Sequence, residues 1–71
     1  MPKMTEIIFV VEEALEGGLI AKALGESIFT EAETMEELRK NVKEAVECHF
    51  DSDAMPKVIR LHMVKEEIIT I

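Results

Sequence analysis

Glu6-Ile7-Ile8-Phe9-Val10-Val11-Glu12 is a run of β-branched and aromatic residues closed at both ends by acids, which is the composition of a strand. Its apolar residues do not alternate with polar ones. Side chains on a strand repeat every two residues, so Ile7, Phe9 and Val11 point to one face and Ile8 and Val10 to the other. A strand apolar on both faces is normally covered on both. Glu16-Gly17-Gly18 follows, and paired glycines supply the positive φ that a hairpin connection needs. Leu19 to Leu24 then reads as the returning strand. Gly25 breaks it, and Ser27 to Ala32 reads as a third, short strand.

Thr34-Met35-Glu36-Glu37 has the form of a capping box, in which the Thr34 hydroxyl accepts from the Glu37 amide and the Glu37 side chain reaches back. Met35, Leu38, Val42, Ala45, Val46 and His49 recur at helical spacing as one apolar stripe, which predicts a helix from Met35 to His49. Glu36–Lys40 and Lys43–Glu47 stand at ion-pairing distance on its outer side. Asp51-Ser52-Asp53 is expected to end the helix, and Pro56 restricts Met55 and bars continuation. Val58 to Val64 alternates as a fourth strand, with Ile59, Leu61 and Met63 opposite Arg60 and His62. Lys65-Glu66-Glu67 interrupts, and Ile68-Ile69-Thr70-Ile71 is either a short fifth strand or an extension of the fourth across a bulge. The expectation is an α+β fold of order βββαβ, a small sheet with one helix packed on one face. One helix covers one face only. The doubly apolar first strand therefore asks for cover from outside the chain.

At 71 residues there is room for one domain. A core of that size supplies roughly 3–5 kcal/mol and usually needs a staple. Cys48 is the only cysteine, so no disulfide can form. Cys48, His49 and His62 do not have zinc-type spacing, and no metal or cofactor is expected. Homo-oligomerisation is the staple that remains. Eight Lys and Arg stand against fifteen Asp and Glu, a formal charge of −7 with a pI near 4.7. The basic residues are spread singly, so direct nucleic-acid binding is not expected, and the net field favours cationic partners. Met1-Pro2-Lys3-Met4-Thr5 lacks the apolar stretch of a signal sequence, and Ile7 to Val11 is far too short to span a membrane. The expected location is cytoplasmic.

The residues with chemically reactive side chains all have plainer explanations. Asp51 and Asp53 suit helix termination and solubility, since a metal or acid–base role needs convergent partners. His49 has no evident nucleophile or carboxylate beside it, and His62 sits on the polar face of its strand. Cys48 lies near a helix C-terminus, where the dipole does not stabilise a thiolate, and reads as structural. Gly17-Gly18 has no phosphate-loop pattern after it. The chain is expected not to be an enzyme.

The stretch Ile7-Ile8-Phe9-Val10-Val11-Glu12-Glu13, then Glu16-Gly17-Gly18 and Ala21-Lys22-Ala23-Leu24-Gly25, resembles the N-terminal domain of HicB-type antitoxins. So does Ser27-Ile28-Phe29-Thr30 leading into Thr34-Met35-Glu36-Glu37-Leu38 and Asn41-Val42-Lys43-Glu44-Ala45. The likeness runs over about residues 5–64. It implies a truncated ribonuclease-H-like fold without metal-binding carboxylates, self-association, and neutralisation of a small basic toxin, HicA, that cleaves messenger RNA. Many such antitoxins carry a C-terminal DNA-binding domain. Here the expectation is a single HicB-like domain over residues 1–71 without one. On this reading acidic side chains stand in for RNA phosphates and cover the toxin's RNA-binding surface, with Glu12, Glu13 and Glu16 around the hairpin as the contact residues. Two other functions fit the same sequence. One is a self-assembling HicB-like protein without a toxin. The other is a ligand-binding or enzymatic oligomer with a site at a subunit junction.

Overall fold

Positive backbone φ at three glycines sets the meander. Gly17 (φ 97°) and Gly18 (φ 86°) close the loop after the first strand, where the amide of Gly17 donates to Ala14 O (3.0 Å) and that of Ala14 to Gly18 O (3.1 Å). A Cβ on Gly18 would stand 3.0 Å from the Ala32 carbonyl oxygen, so both the conformation and the close approach require glycine there. Gly25 (φ 82°) turns the second strand into the third.

The computed structural model describes residues 6–65 and 67–71. The opening residues 1–5, read above as lacking a signal sequence, and Glu66 of the charged interruption lie outside them. The elements are β1 (Glu6–Glu13), β2 (Leu19–Ala23), β3 (Phe29–Ala32), α1 (Met35–His49) and β4 (Val58–Met63). They form a four-stranded sheet of order β3-β2-β1-β4 with the helix packed against it, the expected α+β arrangement. β1–β2 and β2–β3 are antiparallel, whereas β1–β4 is parallel, with α1 as the crossover. The doubly apolar β1 thus lies inside the sheet, and β4 is an edge.

Ile7, Phe9 and Val11 from β1, Ala21 from β2, Ile28, Ala32 from β3, and Leu38, Val42 and Val46 from α1 make up the buried core. Leu38, Val42 and Val46 are the helix residues expected to face the sheet. The Thr34 hydroxyl accepts from the Glu37 amide at 3.1 Å, which is half of the expected capping box. The reverse bond from the Glu37 side chain is not formed. Asn41 Nδ2 donates to Glu31 O at 3.1 Å and ties the helix to β3.

The helix runs from Met35 to His49 as expected and ends ahead of Asp51-Ser52-Asp53. Phe50 is its C-cap in extended conformation, turning to pack against the core, and the aspartates follow in a turn closed by Ala54 N–H to Asp51 O at 3.0 Å. Three other local expectations are corrected. Strand β3 begins at Phe29, two residues later than expected. Residues 68–71 form neither a fifth strand nor an extension of β4. Ile68 and Ile69 are each 80% exposed and Ile71 fully so, because propensity alone supplies no pairing partner. Neither Glu36–Lys40 nor Lys43–Glu47 closes as an ion pair among the described residues. Exposed pairs of this kind gain too little to fix two long side chains.

Candidate functional site

The strand register fixes which side chains lie on the sheet face that α1 leaves uncovered. Cross-strand partners share a face. Glu12 pairs with Ile20 and Ile20 with Glu31, forming one row. The next row runs His62, Val10, Lys22, Phe29, and beyond it Ile8 pairs with Arg60. Ile8, Val10 and Ile20 are half-buried, and Phe29 is 57% exposed. The outer face therefore has an apolar centre, with two carboxylates at the hairpin end and cations along the middle and the β4 side. This is the second apolar face read from β1, and among the described residues nothing is packed over it.

Glu6 lies on the same face. Arg60 Nε donates to Glu6 Oε1 at 2.8 Å and Arg60 NH2 to Oε2 at 3.1 Å, a two-pronged clamp across β1 and β4. The hydrogen bond from Arg60, helped by its charge, holds the Glu6 carboxyl below its ordinary value of 4.5 and raises that of Arg60. A lowered folded-state value means that the pair's stabilisation is present at neutral pH and is lost as pH falls through that value. Glu6 is therefore expected to titrate below 4.5 by side-chain carboxyl NMR and to move up toward that value in Arg60→Gln. An unchanged Glu6 titration in the variant would show that the clamp does not hold in solution.

The hairpin end collects the acids singled out in the sequence. Glu12 and Glu13 close β1 and Glu16 sits in the turn, all three exposed. They do not converge on one surface, since Glu12 and Glu13 are neighbours on a strand and point to opposite faces. Glu31, two strands away, stands in the same outer row as Glu12 and was missed by sequence reasoning. Its signal was the register set by Gly17-Gly18, which can be counted only once the loop length is known.

The other chemically reactive residues stand apart. His49 is exposed and not part of the buried stripe, and its Nε2 lies 3.1 Å from Glu26 Oε1 in the β2–β3 loop. A carboxylate partner therefore exists, contributed by a loop that sequence distance hid. Cys48 is exposed, which corrects its reading as structural. His62 is exposed on the outer face. Among the described residues no three His, Cys, Asp or Glu side chains are grouped to hold a metal ion, and no helix is long and apolar enough to cross a membrane.

On the inner side, α1 lies closest to β3 and β2 and stands away from β4. A groove of 540 Å³ opens between them. Val42, Val46, Met55, Pro56, Ile59 and Leu61 give it apolar walls, and Arg39, Lys43, Lys57 and Glu47 line its edges.

Two curated relatives resemble the chain. One from Archaeoglobus fulgidus is 52% identical over 56 residues, covering 79% of this chain and 83% of the relative. One from Thermotoga maritima is 42% identical over 71 residues, the whole length of both. Each is described as a UPF0150 protein, a name that carries no activity with it. No protein-family model matches the chain, and no solved structure matches it.

Proposed function

The chain belongs to the UPF0150 family, and we propose that it is an antitoxin-like protein-binding module that neutralises a small basic HicA-type, messenger-RNA-cleaving toxin by covering its RNA-binding surface. The observation that carries this reading is the uncovered outer sheet face, with Ile8, Val10, Ile20 and Phe29 at its centre and Glu12 and Glu31 in one row at its edge. An apolar patch rimmed by charge is the usual anatomy of a protein interface. The charge of −7 supports a cationic partner, and the resemblance to HicB-type antitoxins supports an RNA-cleaving one. The module acts by binding and not by catalysis, in the cytoplasm, without a cofactor.

The test is a pull-down from the native cell with the intact chain, followed by an RNA-cleavage assay of whatever basic protein is captured. Recovery of a small basic ribonuclease that the chain silences is the expected result. If no basic partner is recovered, the antitoxin reading fails. Self-assembly without a toxin then takes its place, favoured by the same exposed Phe29 and half-buried Ile8, Val10 and Ile20.

A further inference from the structure

The groove between α1 and β4 and the segment after β4 are complementary in chemistry and do not meet within one chain. The groove has apolar walls, and three of the eight Lys and Arg of an acidic protein, Arg39, Lys43 and Lys57, stand at its edges against a single acid, Glu47. The segment at residues 67–71 offers the opposite: an acid, Glu67, followed by isoleucines that touch almost nothing. Isoleucine side chains left in water lose the gain that burial would bring them.

From this match we infer that residues 67–71 of one copy dock in the α1–β4 groove of a second copy, reciprocally, closing a two-fold dimer. The dimensions agree. Arg39 to Glu47 rises about 12 Å along the helix, and Ile68 to Ile71 spans about 10 Å when extended. In that conformation Ile69 and Ile71 share one side and enter the groove, while Glu67 faces the cations at its edge. A second copy fits better than the same chain. Within the chain its own Ile68, Ile69 and Ile71 stand exposed and take no part in lining the groove. Reciprocal exchange makes the contact twice and closes it, leaving no free segment to propagate a filament. This surface is distinct from the outer sheet face, so the inference stands whether or not a toxin is found.

The test joins two measurements. Isotope-filtered NMR on a mixture of labelled and unlabelled chain reads contacts between the Ile69 and Ile71 methyls and those of Val42, Val46 and Met55. Sedimentation equilibrium compares the wild type with Ile69→Ser/Ile71→Ser, changes at exposed positions that leave the core untouched. Intermolecular contacts are expected, with at least tenfold weaker dimerisation in the double variant. A second variant, Arg39→Glu/Lys43→Glu, is expected to weaken the dimer at low salt and to regain part of it when Glu67→Lys is added. Contacts found only within one chain, a wild type that stays monomeric, or a dimer equally tight in the serine variant would each overturn the inference. The last result would place self-association on the β4 edge or the outer sheet face instead.

Discussion

Phe9→Ala is expected to leave most of the chain unfolded at 25 °C. Phe9 lies on the central strand pair opposite the small residue Ala23, fully buried in one core with Ala21 and with Leu38, Val42 and Val46 of the helix. Removing a buried phenylalanine costs about 3–5 kcal/mol, through lost transfer energy and the cavity left behind. A core of this length supplies about the same amount in total. No disulfide limits the unfolded chain, because Cys48 stands alone. Leu15→Ala is the control: Leu15 is fully exposed in the hairpin loop, and a surface change of that kind moves stability by less than about 0.5 kcal/mol. Far-UV circular dichroism and urea titration at low micromolar concentration would separate the two. A Phe9→Ala chain with the wild-type spectrum and midpoint would show that Phe9 is not the keystone of this core.

The parts of the fold legible in the sequence are those set by short-range patterns. The two-faced apolar run of β1, the Gly17-Gly18 loop and the Thr34 cap each depend on neighbours within a few residues, and each forms where expected. The stripe of Leu38, Val42 and Val46 did too, since helical periodicity and burial select the same side chains. What failed depended on partners far away in sequence. Isoleucine-rich residues 68–71 have the propensity of a strand, but a strand exists only when an edge accepts it. His49 looked unpartnered because Glu26 lies 23 residues earlier, and Glu31 joined Glu12 only through two successive registers. The groove was illegible for the same reason. Its two walls come from α1 and β4, and nothing local fixes how far apart they stand.

Register also sharpens what charge can do here. Of Glu12, Glu13, Glu16 and Glu31 at the hairpin end, only Glu12 and Glu31 share the outer face with the apolar centre, whereas Glu13 points to the other side and Glu16 sits in the turn. Toward the β4 side, the Glu6 carboxylate is already engaged by Arg60. The outer face therefore offers free negative charge at the hairpin end, the unpaired cation Lys22 in its middle and a neutralised Glu6–Arg60 pair at the other end. A basic partner would approach it in a preferred orientation.

Changing Glu12, Glu13 and Glu16 together to Gln removes three carboxylates at almost constant volume and takes the formal charge from −7 to −4. All three are exposed, so the fold should be unaffected. Charge complementarity acts mostly on the rate of encounter, and steering by a protein's field raises association by roughly 10- to 1000-fold. The association rate with the captured basic protein is therefore expected to fall about tenfold at low salt in the triple variant, with dissociation changed much less. The difference should fade as salt rises, because the screening length shrinks from about 10 Å at 0.1 M to about 3 Å at 1 M. The register adds a finer test. If the outer sheet face is the docking surface, Glu12→Gln/Glu31→Gln should slow association more than Glu13→Gln/Glu16→Gln, although each pair removes the same charge. Surface plasmon resonance across a salt series reads both comparisons. Equal effects from the two pairs would mean that only net charge matters. No effect from either would place the surface proposed to bind a toxin away from the hairpin end.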